Sequence, residues 1–230
     1  MVTDAELLAL MLSLKVSLAA IMVGLPLSLA LAWLLARKDF RGKTVLDMLI
    51  HAPLVLPPVV VGYLLLVTFS PGSAVGGFLQ DAIGFTPAFR WQGASIAALV
   101  MALPLMVRAI RLSLEAQNPR LAMAARTLGA GRLRTFLQVT LPLALPGIIA
   151  GGLLGFARAF GEFGATITFV SNIPGMTQTL PLALYSAVQQ PGGEAAALRI
   201  LILSLVVAFA ALGVSEYLAR RMRRKIRGEA

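Results

Sequence analysis

Side chains able to do covalent chemistry are scarce in this sequence. It has no cysteine, one histidine, and ten Asp and Glu among 230 residues. Thiol nucleophiles, disulfides and cysteine-ligated metals are therefore excluded, and His51 has no neighbouring imidazole or thiolate to share a metal with. Beside Ala52-Pro53 it reads as an interfacial residue. Gly42-Lys43-Thr44 ends like a phosphate-binding loop, but that loop needs a glycine at position 37, where Arg37 stands. The chain supplies no nucleotide site of its own. No paired carboxylates or serine dyad suggest an intramembrane hydrolase. One charged constellation stands out: Arg158 and Glu162, four residues apart in Arg-Ala-Phe-Gly-Glu-Phe-Gly, a spacing that allows an ion pair on a helix. Charges in an apolar stretch are costly, so each is a functional candidate until its partner is known. The pair could fix where a helix ends. Alternatively Glu162, with Gly161 and Gly164 beside it, could position moving gate helices.

The elements that must hold these residues follow from composition. The chain is 58% hydrophobic and 13% charged, far from a soluble domain at about a quarter charged. A bilayer-crossing helix needs about 20 mostly apolar residues. Charge-free runs at 16–36, 48–80, 91–107 and 135–157 each hold one, and the run between Arg199 and Glu216 suffices if its charged ends snorkel. The expectation is an all-α polytopic membrane protein: a single domain over 1–230 with five transmembrane helices. Residues 163–193 read as a loop with a short helix in TLPLALYSAVQQ, and a sixth, short or re-entrant span there is left open.

Basic residues set the orientation. Arg37, Lys38, Arg41 and Lys43 lie between spans one and two, and Arg108, Arg111, Arg120, Arg126, Arg132 and Arg134 between spans three and four. Arg220, Arg221, Arg223, Arg224, Lys225 and Arg227 follow the last. This asymmetry puts the N-terminus outside and the C-terminus in the cytoplasm. The net charge of +10 then belongs to loops and a tail on anionic lipid; no base-reading module accompanies it, so nucleic acid is not expected as a partner. Ala30-Leu31-Ala32 imitates a signal-peptidase site, but the leader carries Asp4 and Glu6 instead of basic residues.

Span four carries Gly147, Gly151 and Gly155, whose spacing allows close helix packing within one subunit or between two. Pro142 and Pro146 in that span, and Pro57 with Pro58 in span two, remove backbone donors, which suits either a moving pathway or a static kink.

The connector at 108–134 is long for a simple link. Asn118 is a favoured N-cap, Pro119 fits the first helical position and Gly129 can end the helix in the left-handed conformation, so a helix is expected over 119–128. Leu121, Ala124, Ala125 and Leu128 recur on one stripe with Arg120 and Arg126 outside it. Such a stripe serves a protein partner or a membrane surface equally, and periodicity does not choose.

The run AARTLGAGRLRTFLQVTLPLALPG resembles the cytoplasmic loop motif of ABC-importer permease subunits. Ala124 and Ala125 take its alanine positions, Gly129 its glycine, Val139 its isoleucine, and Leu141 and Pro142 its closing Leu-Pro; Met123 stands where the family commonly has glutamate. HAPLVLPPVVVGYLLL, ALPLMVRAIR, RAFGEFGATITFVSNIPG and TLPLALYSAVQQPGGE narrow the resemblance to molybdate-importer permeases, with sulfate and tungstate permeases sharing a GEFG-type segment. The resemblance implies a type I importer permease architecture in the bacterial inner membrane. It implies a homodimer, two ATP-binding subunits that hold ATP and magnesium, and a periplasmic molybdate-binding protein, with no catalysis or cofactor in this chain. It also makes Glu162 a poor ligand, since a lone carboxylate repels a dianion. The choice between molybdate, tungstate and sulfate stays open. A gradient-driven transporter is the competing class, though no internal repeat is evident.

Overall fold

The computed structural model describes the backbone of residues 2–227, and the side chains through Val214 together with Tyr217. The basic side chains of the tail, Arg220 to Arg227, lie outside the described residues.

The first helix, α1 (Asp4–Arg37), begins well before its charge-free core. Thr3 and Glu6 form a reciprocal capping box: the Glu6 N–H donates to Thr3 Oγ1 at 3.3 Å and the Thr3 N–H to Glu6 Oε2 at 2.9 Å. Its 34 residues make a rod of about 51 Å, longer than the hydrocarbon slab. Lys15, which interrupts the apolar run, lies with its ammonium 3.9 Å from the ring centre of Trp91.

Span two is broken. Helices α2 (Lys43–Val55) and α3 (Pro58–Phe69) are bent by 117° where Leu56 and Pro57 leave the helical path. The pair still traverses the molecule, because Ile50 of α2 shares a core with Ile110 and Leu114, whereas Val61 of α3 shares one with Ala94, Ala97 and Ala98. A short α4 (Ala74–Ile83) follows, capped by Ser73 and closed by Gly84 at φ +64°.

The axis of the fold is α5 (Trp91–Glu115), packed against α1 on one side and α8 (Leu141–Phe160) on another. Ala94, Ala97, Ala98 and Ala102 are completely buried, so backbones approach closely. Gly147, Gly151 and Gly155 of α8 face α5 within the chain. A Cβ on Gly147 would lie 2.2 Å from Ser113 Cβ, and one on Gly155 2.6 Å from the Met106 thioether. This decides the packing question: the glycine series seats α8 on α5 of the same subunit. Arg37 at the end of α1 donates to the Leu114 carbonyl at 3.0 Å, so α1 and α5 run parallel and α8 antiparallel to them.

Between α5 and α8 lie α6 (Pro119–Thr127), α7 (Arg132–Thr135) and one turn of π-helix (Phe136–Thr140). The connector is shorter than 108–134, because Arg108 to Glu115 form the last two turns of α5; an Arg111 ion pair with Asp47 of α2 at 3.0 Å holds them there.

After α8, α9 (Gly164–Val170) carries the fourth span onward beside α3, where the sequence suggested only loop. Residues 171–179 turn the chain into α10 (Leu180–Gln189), whose ten residues cover about half a bilayer. The Leu180 N–H, one of the first-turn donors without a partner inside the helix, donates to Ser13 Oγ of α1 at 2.6 Å. The last helix, α11 (Glu194–Arg227), runs parallel to α1, since Arg199 grips Glu6 through both carboxylate oxygens at 2.8–3.2 Å. Four helices are long and apolar enough to cross a membrane, and the bent pair makes five. Among the described residues no sixth helix is long and apolar enough to cross a membrane, α10 being a short apolar helix, and no strand occurs.

Candidate functional site

Helix α6 is built by its ends. Asn118 Oδ1 accepts the Arg120 N–H at 3.0 Å, and Pro119 fills the first position. At the other end Gly129 takes φ +87°, its N–H donates to Arg126 C=O at 3.0 Å, and the Ala130 N–H donates to Ala125 C=O at 3.0 Å. That is a complete Schellman closure, one residue short of the Leu128 end the sequence suggested. None of the nine residues is buried. Leu121, Ala124 and Leu128 form an outward stripe, with Leu128 88% exposed, whereas Ala125 is half-covered by the body of the chain. An apolar stripe of this kind on a capped helix presents a rigid docking surface. Met123 is 55% exposed, so no charge is offered where the motif usually carries one.

What ties α6 to the spans is Gln117, a residue the sequence reading did not single out. Its amide oxygen accepts from Arg37 of α1 at 3.1 Å, while its amide nitrogen donates to the Thr140 carbonyl at 3.0 Å, at the end of the π turn. One side chain thus joins the α5–α6 link to the end of α1 and to the π turn that leads into α8. Val139 sits half-buried in the π turn, and Leu141 and Pro142 open α8 directly after it. The π turn is itself a locally loosened helix, which suits a joint.

The second constellation is at membrane depth. Helix α8 stops at Phe160, with Gly161 as its cap, and Glu162 is 3% exposed. One carboxylate oxygen of Glu162 accepts the Ala165 N–H at 2.7 Å, in the first turn of α9, and the other pairs with Arg158 Nη1 at 2.5 Å. Both oxygens are thus engaged in holding the α8–α9 break. Gly164 meets the break in span two: a Cβ there would lie 2.8 Å from Pro58 Cβ, and a Cβ on Gly62 would lie 2.5 Å from the Ala165 carbonyl. The two interrupted spans touch at their interruptions. Beside them Val55, Val59, Tyr63 and Val67 of α2 and α3 are exposed, a largely apolar surface with one phenol.

Remaining candidates are structural. His51 Nδ1 lies 3.2 Å from the Asp47 carboxylate and 2.9 Å from the Asp47 carbonyl. Asp47 and Arg111, like Glu6 and Arg199, pair across helices, and nothing in the local sequence marks residues 64 or 193 positions apart as partners.

Comparison with known proteins extends the geometry. A family model for the binding-protein-dependent transport system inner membrane component matches residues 17–224. The chain is similar to the molybdenum transport system permease protein of Escherichia coli, 57% identical over 223 residues that cover 97% of each chain. It is 36% identical to the sulfate transport system permease protein of Salmonella typhimurium, over 84% of this chain and 71% of the relative. Among solved structures, a bacterial alginate ABC transporter crystallised with a periplasmic protein bearing an alginate pentasaccharide matches with a TM-score of 0.78 at 17% identity, over 96% of this chain and 80% of that one, a likeness of fold.

Proposed function

The chain belongs to the family of binding-protein-dependent transport system inner membrane components, and from that premise we propose that it is the pore-forming subunit of an ATP-driven molybdate importer. The observation that carries the reading is α6: a helix with both ends capped, no buried residue and an apolar outward stripe, placed where the permease loop motif predicts. It docks on an ATP-binding subunit, with Ala124 and Ala125 allowing close approach and Gly129 fixing where the helix stops. Closure of two such subunits around ATP and magnesium moves α6, and Gln117 and the π turn around Val139 pass the movement to α1, α5 and α8 through Leu141 and Pro142.

Two copies of this chain then enclose the pathway at the broken spans. Arg158 and Glu162 hold the gate helices α8 and α9 at the break, with Gly161 and Gly164 giving the turn and the close approach. The substrate touches a weakly polar lining and leaves without being held tightly. No covalent step occurs in this chain. Selection between oxyanions rests mainly with a periplasmic binding protein that delivers the ion. The basic end of the molecule, with Arg37, Arg126 and Arg132, is the cytoplasmic one by the positive-inside rule, so the N-terminus lies outside.

The deciding experiment co-reconstitutes the chain with its ATP-binding subunit and periplasmic protein in vesicles and measures ATP hydrolysis. Stimulation by molybdate-loaded binding protein is expected. Stimulation by sulfate alone would transfer the assignment to the sulfate permeases, which a 36% identical relative keeps in view. Uptake that ignores ATP would overturn the importer reading.

A further inference from the structure

Behind α6 lies a cavity of about 480 Å³ between the end of α1, α6 and the α7–π segment. Its walls carry four cations, Arg37, Lys38, Arg126 and Arg132, and two aromatic rings, Trp33 and Phe136, packed edge to face at 6.3 Å. Among the described residues no acidic side chain lines it, and none of the four cations has a carboxylate partner. Arg37 is held by the neutral acceptors Leu114 C=O and Gln117 Oε1, and the Lys38 ammonium lies 5.9 Å from the Trp33 ring centre. Like charges gathered without counter-charges repel one another, which an anion relieves.

A second groove of about 530 Å³ continues from the first and shares Trp33, Arg132 and Phe136 with it. The rest of its lining is apolar: Pro26, Leu29, Ala30 and Leu133. It climbs α1 from the basic end toward the middle of the helix, alongside the exposed apolar residues Met22, Val23 and Leu27. A basic chamber at the membrane boundary joined to an apolar lane at hydrocarbon depth has the shape and polarity of one anionic phospholipid. Free inorganic phosphate would explain the chamber but not the lane.

We propose that this site binds an anionic phospholipid, its phosphate among Arg37, Lys38, Arg126 and Arg132 and one acyl chain along Pro26, Leu29 and Ala30. Assignment to the inner leaflet rests on the orientation given above; the site itself does not. Because Arg126 belongs to α6 and Arg37 also holds Gln117, the lipid touches both ends of the link between α6 and the spans. The cytoplasmic leaflet then becomes part of the joint.

The test uses the full chain in vesicles, alone and assembled with the ATP-binding subunit. Trp33 is the reporter, in a Trp91→Phe background that removes the other indole. Lipids brominated on the acyl chain quench a nearby indole, so phosphatidylglycerol and phosphatidylcholine carrying the same label are compared. Phosphatidylglycerol should quench preferentially. Each basic residue contributes about fivefold to such a preference, so Arg126→Gln with Arg132→Gln should lower it by roughly twenty-five-fold, while Arg120→Gln with Arg134→Gln, outside the cavity, should not. Equal quenching by both headgroups in the unaltered chain overturns the proposal. Displacement of the lipid by millimolar inorganic phosphate would make the chamber a free-anion site and overturn it too, as would loss of quenching once the ATP-binding subunit is bound. None of these outcomes depends on molybdate transport, so the site and the importer assignment fail separately.

Discussion

Gly129 offers the sharpest trial of the coupling role of α6. Its φ of +87° lies where only glycine is at ease, yet a Cβ built there meets nothing within 4 Å. Substitution by alanine therefore introduces backbone strain without a clash. That strain is about 1–2 kcal/mol for an ordinary L-residue. No residue of α6 is buried, so packing cannot absorb the strain, and it appears directly as loss of the docking-competent helix end. Affinity for the ATP-binding subunit should fall about five- to thirtyfold in Gly129→Ala. Asparagine tolerates the left-handed region better, so Gly129→Asn should lose less. Gly129→Pro forces φ to about −65° and deletes the N–H that bonds Arg126 C=O at 3.0 Å, so it should lose most. The order Gly, Asn, Ala, Pro is read twice, as affinity of the ATP-binding subunit for the chain in lipid nanodiscs and as substrate-stimulated ATP hydrolysis. Alanine performing as well as glycine, or proline retaining coupling, would show that the closure at Gly129 does not govern docking.

Four other expectations come from the same contacts. Gly147→Ala puts a Cβ about 1.4 Å inside contact distance of Ser113 Cβ and should cost about 1–3 kcal/mol, a melting temperature lower by about 3–10 °C; Gly152→Ala, facing only the flexible end of Leu25, is the mild control in the same thermal scan. Ser13→Ala strands the buried Leu180 N–H and should destabilise by about 1–3 kcal/mol, with faster amide exchange at the start of α10 as its signature. Glu162→Gln keeps an oxygen for the Ala165 N–H but loses the Arg158 pair, so it should assemble and yet show weaker substrate-coupled ATP hydrolysis, whereas Glu162→Ala should lose thermal stability as well. Gln117→Glu retains an acceptor for Arg37 and lacks the donor for Thr140 C=O, so coupling measured as transport per ATP should drop while the purified chain remains folded.

Legibility in the sequence followed the range of each interaction. The ends of α6 were readable because Asn118, Pro119 and Gly129 act on their own backbone within a few residues. The i,i+4 pairing of Arg158 with Glu162 was readable for the same reason, and the structure adds that its purpose includes starting α9. Spans were legible from charge-free length, but α1 outran its apolar core because a capping box accommodates Glu6, the first helical turn suits Asp4 and Trp91 accommodates Lys15. The extent of α5 was misjudged since Arg108 and Arg111 looked like loop residues until Asp47 supplied a partner from α2. Helix α9 was hidden by Ser171-Asn172-Ile173-Pro174-Gly175 just after it, which dominates any short window. The role of Gln117 had no local signal, because its side chain's two partners come from the end of α1 and from the π turn.

Where the two interrupted spans meet, two glycines bring them to close quarters, Gly62 on the Ala165 carbonyl and Gly164 on the Pro58 ring, next to the tilted ring pair of Phe69 and Phe169. Neither glycine leaves room for a side chain, since a Cβ at Gly62 or Gly164 would already press on its neighbour at 2.5–2.8 Å. A bulky graft at either position would therefore act as a wedge, prising the two broken spans apart at the point where they meet.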